Sequence, residues 1–332
     1  MARKILVTGG AGFIGSNIVA ELSDVGGFEI AVCDRLRAAD TGKWRNIAKH
    51  AVADFVALDA LSHWLEGRGA DAEIIIHMGA ISSTMEPDVD KIVDINFGLS
   101  RDLFDWCAAR GRRFIYASSA ATYGAGEHGF DDRSDVAFLK SLRPLNAYGW
   151  SKALFDLYVA RRTTENIAPP QCAGLKFFNV YGPNEGHKGA MRSMVAQMWS
   201  AVAADQPVRL FKSYRDGVAD GRQTRDFVSV RDAAAVARWL VESPDVSGLF
   251  NVGSGAARTF DDLAAATFEA VGKTPRVGYV DMPEAVRSTY QYHTEAPIQR
   301  LRAAGYAPAL TTIEDGVADY VKNYLSKADP YR

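Results

Sequence analysis

The chain has 332 residues, more than a single hydrophobic core usually supports, so one large and one smaller domain, or one elaborated domain, is expected. With 38 Lys+Arg against 40 Asp+Glu the net charge is -2, which offers no global attraction to nucleic acid or to an anionic membrane. The chain is 48% hydrophobic, yet no stretch approaches the roughly 20 apolar residues that a bilayer span needs.

The opening MARKILVTGG reads as a first strand and not as a signal peptide, so a soluble cytoplasmic protein is expected. Cys33, Cys107 and Cys172 are odd in number, far apart and without CxxC spacing, which predicts three small buried thiols and neither disulfide nor zinc. The six histidines contain no HxxxH pair, so no metal centre is expected.

Short apolar runs then follow one another at helix-length spacing: 4–8, 29–34, 54–58, 73–77, 113–119 and 172–178. Parallel strands need crossovers of a dozen or more residues, and a run such as IIIH is apolar on both faces, as strands covered on both sides must be. The pattern predicts a doubly wound α/β fold, with residues 1–180 forming a dinucleotide-binding domain. Pro169-Pro170 is expected to end the helix before the sixth strand.

After residue 180 the rhythm loosens into a helix at about 190–204, strands near 208–211, 225–229 and 248–252, and helices at about 232–242, 260–271 and 312–325. Residues 181–332 therefore read mainly as a smaller α/β substrate domain, with some chain crossing back to the first. The segment 213–224, rich in Gly, Asp and basic residues, reads as an exposed, mobile loop placed to cover a ligand.

The string VTGGAGFIGSN (7–17) sets Gly9, Gly12 and Gly15 directly after a predicted strand and at the start of a helix. Gly9 permits a tight turn, Gly12 lets the backbone approach a pyrophosphate, and Gly15 lets helix and strand pack closely. The helix N-terminus adds free N–H groups and a positive dipole. Asp34 ends the second strand 19 residues after Gly15, where it can bond the ribose hydroxyl of NAD. The neighbouring Arg35, Arg37 and Lys43 could neutralise the extra phosphate of NADP or simply be solvated; NADP is expected, with NAD the alternative.

Tyr148 and Lys152 in NAYGWSK stand four apart and share one helix face. A phenol near pKa 10 is a poor base, but an adjacent ammonium and an oxidised nicotinamide both favour the phenolate. YxxxK alone usually marks an ordinary exposed helix. It gains meaning from Ser118 and Ser119 in YASSAATYG, which end the fifth predicted strand at the sheet edge where ligands bind. Tyr148, Lys152 and Ser119 are thus candidate catalytic residues, Ser119 donating to the reacting oxygen.

TGGAGFIG, SSAATYG and YGWSK together resemble the extended short-chain dehydrogenase/reductase superfamily, whose Rossmann-like members act on nucleotide sugars. Within it, AISSTMEPD (80–88), FFNVYGPNEGHKGAM (177–191), TRDFV (224–228) and YQYHTEAPIQRLRAAGY (290–306) are similar to the ADP-L-glycero-D-manno-heptose 6-epimerase family, over about residues 3 to 325. The resemblance implies an NADP-dependent inversion at C6 of the heptose, by oxidation to a ketone and reduction on the opposite face. It also implies a place in lipopolysaccharide core biosynthesis and a homo-oligomer, with a pentamer among its forms.

Acid/base help is then needed on both faces, and the family's lysine of the EGHKG loop corresponds to Lys188. From the residues alone, a solvated surface lysine is the commoner case. The same resemblance implies that Phe13, Ile14, Gly79, Ala80, Ser82, Asn96 and Val180 line the cofactor. Ser82, Ser119, Asn179, His187, Lys188, Phe211, Arg225 and Tyr290 would meet the sugar nucleotide. Arg225 suits a diphosphate and equally a structural salt bridge, and Tyr290 could be a core aromatic.

The chain departs from the family pattern at Ala190, at Gln197, in the longer 213–224 loop, and at Leu58, where a second basic residue would help with the NADP phosphate. Ala120 and Ala121 stand where the superfamily's dehydratases carry an acidic pair, which argues against dehydration. A UDP-hexose 4-epimerase is the main alternative, and it would not need Lys188.

Overall fold

The structure, a computed structural model, describes residues 2–36, 41–287 and 290–332. Seven strands form one sheet in the order β10-β6-β5-β4-β1-β2-β3. They are β1 (Arg3–Thr8), β2 (Phe28–Cys33), β3 (Asp54–Val56), β4 (Ile74–His77), β5 (Arg113–Ser119), β6 (Cys172–Phe177) and β10 (Gly248–Val252), and every neighbouring pair is parallel. The strand order reverses between β1 and β4, which opens a crevice at their carboxyl ends.

The side chains explain why the sheet is covered on both faces. In β1, Leu6 packs with one core cluster while Ile5 and Val7 pack with another, and Ile75 against Ile74 and Ile76 repeats the alternation in β4. One cluster takes Leu61, Trp64, Phe104 and Phe155 from helices on one face; the other takes Ile18, Leu22, Ala233 and Leu240 from helices on the opposite face. Burying an apolar side chain of this size is worth about 1.5–3 kcal/mol.

Chain after residue 180 builds the second region and also returns to the first. β7 (Asn179–Tyr181), β9 (Thr224–Ser229) and β11 (Ala257–Thr259) form a three-stranded sheet, and β8 (Val208–Phe211) pairs with β12 (Val277–Val280). A third core cluster, including Val195, Phe227, Leu263, Phe268 and Val317, lies among these strands and their helices. β10 and the helix Val230–Glu242 belong instead to the large sheet, joining it at β6 and on its covered face.

One local expectation needs correction. The helix Ala147–Thr164 ends five residues before Pro169, because the chain turns at Asn166 with φ 58, so the prolines follow a turn already made. The 213–224 segment is exposed over much of its length, as expected; the backbone N–H groups of Ser213 and Tyr214 donate to Asp220 and to the Tyr292 hydroxyl, and Arg287 stacks 3.8 Å over the Tyr214 ring. The three cysteines are buried and free, and burial pushes the Cys33 thiol up to about 12. Among the described residues no helix is long and apolar enough to cross a membrane.

Candidate active site

The glycine turn follows β1 directly. Gly9 has φ 65, and a Cβ there would lie 2.6 Å from the backbone of Gly79; a Cβ on Gly15 would lie 2.2 Å from the Gly9 carbonyl. Only hydrogen at these positions lets the turn press against the end of β4 and the helix Phe13–Val25. Gly12 precedes that helix with no capping side chain, so its first-turn N–H groups face outward toward any anion.

Asp34, just past β2, accepts from the backbone N–H of Ala11 at 2.9 Å and of Arg35 at 2.6 Å. Lys43 Nζ lies 2.5 Å from Asp34 Oδ1 and also donates to the Arg35 carbonyl. Arg35 is exposed, and Arg37 lies outside the described residues.

A cleft of about 570 Å³ opens over this turn. Of the residues singled out from the sequence, Gly9, Gly12, Phe13, Ile14, Gly15, Asp34, Lys43, Gly79, Ala80, Ser82, Ser119, Tyr148, Lys152, Val180, His187 and Lys188 line it. A second cleft of about 270 Å³ shares Val180 and Lys188 with the first and adds Asn179.

Tyr148 reaches Ser119 because its helix starts hard against the turn that follows β5. Asn146 caps that helix by accepting from Gly149 N–H at 2.8 Å, and a Cβ on Gly149 would lie 2.6 Å from the Ala121 carbonyl. The Ser119 side chain favours the ionised form of the phenol, but burial outweighs this and pushes Tyr148 up. Lys152 stands one turn further along the same helix. The ammonium is itself buried, donates to the Ala117 carbonyl at 3.0 Å, and is pulled down to about 8 by desolvation, opposed by Asp156.

Lys188 projects from a short 3-10 segment, Gly186–Met191, with its Nζ 5.1 Å from the centre of the Phe13 ring. Desolvation lowers it, and the buried Glu185 carboxylate works against that. Glu185 accepts from Ser193 N–H and Oγ and from the Tyr320 hydroxyl, which ties the loop to two helices. The departures at Ala190 and Gln197 meet in space: the Gln197 amide donates to the Ala190 and Arg192 carbonyls and braces the same loop. His187 contacts Asn46 and is lowered to about 4, first by burial and then by Lys43 and Lys188.

The remaining candidates stand apart from the cleft. Asn96 is fully buried; its amide bonds both backbone groups of Ile81 and the Ser151 hydroxyl, so it holds the 79–82 loop from behind and does not line the cofactor wall. Arg225 is buried, with its guanidinium donating to the Thr224 and Gln291 carbonyls and lying over the rings of Phe260 and Tyr290. Among the described residues it has no carboxylate partner, so the structural salt bridge is not formed. Tyr290 meets Phe211 edge-on at 6.4 Å, and Gln291 reaches back to the Gly124 carbonyl near Ser119.

Several lining residues escaped the sequence reading: Met78, Ile81, Phe177, Phe178 and Met191. The first four lie at or just beyond the carboxyl ends of β4 and β6, which is the signal that could have found them.

The sequence profile of the NAD dependent epimerase/dehydratase family matches residues 5–253. The chain is 44% identical to the ADP-L-glycero-D-manno-heptose-6-epimerase of Fusobacterium nucleatum, covering 98% of this chain and 99% of that protein. It is 46% identical to the protein of that name from Nitratidesulfovibrio vulgaris strain DP4, covering 98% and 99%. Among solved structures it is similar to the Helicobacter pylori ADP-L-glycero-D-manno-heptose-6-epimerase, with TM-score 0.77, 27% identity and coverage of 97% and 96%. It is also similar to Thermus thermophilus UDP-glucose 4-epimerase in complex with NAD, with TM-score 0.70, 26% identity and coverage of 95% and 96%.

Proposed function

The chain belongs to the NAD dependent epimerase/dehydratase family, and on that premise we propose that it inverts C6 of an ADP-bound glycero-manno-heptose. The reading rests on one observation above all: Tyr148 and Lys188, from different parts of the chain, line the same cleft as the glycine turn.

The cradle fits a dinucleotide because a Cβ at Gly9 or Gly15 would collide with backbone, while the helix start beside it offers N–H groups to phosphate. The chemistry a bound nicotinamide dinucleotide supplies is hydride acceptance from C6 and hydride return to the opposite face of the transient 6-ketone, with no net oxidation. Tyr148 takes or gives the proton at the sugar oxygen on one side, and Ser119 donates a hydrogen bond to that oxygen. Lys152 holds positive charge beneath the phenol. Lys188, lowered by burial, gives or takes the proton on the other side. Arg225, buried and free of carboxylates among the described residues, binds the diphosphate, with Phe211 and Tyr290 beside it and Asn179 and His187 along the sugar. Residues 1–180 serve mainly the cofactor and 181–332 mainly the substrate, and the protein works as a homo-oligomer.

NADP is the proposed cofactor, since Lys43 neutralises Asp34 and so removes the repulsion that a lone carboxylate would exert on the extra phosphate. In Lys43→Ala, NADP affinity should fall about tenfold or more while NAD affinity changes little, measured by titration calorimetry. Equal losses for both cofactors would remove Lys43 as the basis of this preference.

The substrate reading is tested by incubating the protein with ADP-D-glycero-D-manno-heptose and resolving the C6 epimers by NMR. Interconversion that Lys188→Met abolishes supports it. Turnover of a UDP-hexose with none of the heptose, unchanged in Lys188→Met, would assign a 4-epimerase instead.

A further inference from the structure

Behind the reacting centre lies a charge pair that the proposed reaction does not use. Asp156 stands one helical turn beyond Lys152 and two beyond Tyr148, and Lys176 faces it from β6 with Nζ 2.7 Å from Asp156 Oδ2; both side chains are fully buried. Desolvating two charges is costly, and apolar side chains of similar volume often serve stability as well or better. Fold stability alone is therefore a weak reason for the pair.

Its hydrogen bonds lead to the reacting centre. The Ser118 hydroxyl donates to Asp156 Oδ2 at 2.7 Å and the Tyr116 hydroxyl to Oδ1 at 3.1 Å. Lys176 Nζ donates to Thr122 Oγ1 at 2.6 Å, and that hydroxyl donates to the Ser119 carbonyl at 2.8 Å. Ser119 is thus tethered from both sides to one rigid pair, through the residue before it and through the turn after it. Its own Oγ accepts from Ala121 N–H at 3.1 Å, and the Ser119 side chain favours the ionised form of Tyr148.

We propose that Asp156 and Lys176 are positioning residues for the reacting centre, fixing Ser119 against Tyr148 through Ser118 and Thr122 and countering the charge of Lys152 across one helical turn. The proposal rests on the reading of Tyr148, Lys152 and Ser119 as the reacting groups. Asp156 is faced from β5 by Tyr116 and Ser118, from β6 by Lys176 and Cys172, from the 120–123 turn by Tyr123, and on its own helix by Tyr148 and Lys152. Its negative charge raises both Tyr148 and Lys152, against the desolvation that lowers the lysine to about 8. A precise serine position matters because a displacement of about 1 Å at a reacting group can cost a hundredfold in rate.

Thr122→Val and Ser118→Ala each remove a single hydroxyl from the tether, and Asp156→Asn/Lys176→Met removes both charges together so that neither is left buried alone. Two quantities are read: kcat and KM for epimerisation, and the phenolate absorbance of Tyr148 in cofactor-loaded protein without substrate, isolated by difference against Tyr148→Phe. We expect kcat to fall about tenfold in each hydroxyl variant with KM within about twofold. We expect the Tyr148 titration to move at least about half a pH unit downward in Asp156→Asn, where the negative charge goes and that of Lys176 stays, and to move less in the double variant, where the two charges leave together.

Wild-type kcat in both hydroxyl variants overturns the positioning role, and an unmoved phenol titration overturns the electrostatic one. If the double variant does not fold, the hydroxyl variants decide. If the wild-type protein turns over no heptose nucleotide, the substrate reading has failed, and the phenol titration, which needs no substrate, still tests the pair.

Discussion

At the scale of single residues, the reacting groups are poised by burial before any ligand arrives. Burial alone makes Tyr148 a weaker acid, and Ser119 offsets this only in part. The phenol therefore works as a base only when further positive charge lies near it, which couples proton transfer to cofactor binding. Tyr148→Phe should fold and retain cofactor while losing at least about a hundredfold in turnover, the usual scale for removing an acid/base group. Near-normal turnover in that variant, measured by the same epimer-resolving NMR, would remove Tyr148 from the mechanism. Lys188 was legible in the sequence only through its motif, because a lysine in a loop carries no sign of its surroundings. Its lowering by desolvation and its place over Phe13 come from chain packed around it from elsewhere.

Among the elements, the closest fits are made by glycines whose partners lie far along the chain. Gly149 has no unusual φ and looks in the sequence like a minor blemish in a helix. The Ala121 carbonyl, 2.6 Å from where its Cβ would be, makes it the point at which the Tyr148 helix meets the turn after β5. Gly149→Ala adds helix propensity of about 1 kcal/mol but must push helix and turn apart. The expected result is a protein that keeps its cofactor, has a lowered melting temperature and loses about tenfold in kcat. A rise in melting temperature with unchanged kcat would show that the helix shifts freely.

The strands of the large sheet were readable because apolar runs bounded by turn residues carry a local signal; 113–119 and 248–252 match β5 and β10 at both ends. β7, β11 and β12 were not read. Two of them have three residues each, too few to show a period, and the third is only partly buried.

For the whole molecule, the pH dependence of stability follows from the buried histidines. His77 ends β4 fully buried: Gly79 N–H donates to the Thr8 hydroxyl, which bonds the ring at 2.6 Å, and the other ring nitrogen meets Ser100 at 2.8 Å. The Ser100 hydroxyl donates onward to the Asn96 carbonyl, so the ring is a neutral spacer with its proton on Nε2. Desolvation, with help from Lys152, lowers it from 6.5 to about 3, and His187 falls to about 4.

Below pH 6.5 these two side chains therefore bind more protons in the unfolded chain than in the native one, and their contribution to stability falls as pH falls. From pH 6.5 to 5, His77 alone contributes a loss of up to about 2 kcal/mol. Asp132, Glu185, Asp226 and Asp232, raised first by burial, act in the opposite sense, so the histidine contribution is read as the difference between the protein and His77→Gln. Urea unfolding at pH 6.5 and 5 should show this decline, and His77→Gln should reduce it. An equal decline in that variant would place its source elsewhere.

The sequence by itself determined the doubly wound sheet, the glycine turn and the Tyr148/Lys152 face, because each is written in residues within one or two turns of one another, where periodicity and spacing act directly. Tertiary structure decided the rest. It set Asn96 behind the wall, left Arg225 buried without a carboxylate among the described residues, held the 213–224 loop against Tyr292 and Arg287, and drew Asp156 and Lys176 together beneath Ser119. Those outcomes depend on desolvation and on contacts between residues far apart in the chain. Such contacts exist only once the strands have paired and the helices have closed over them.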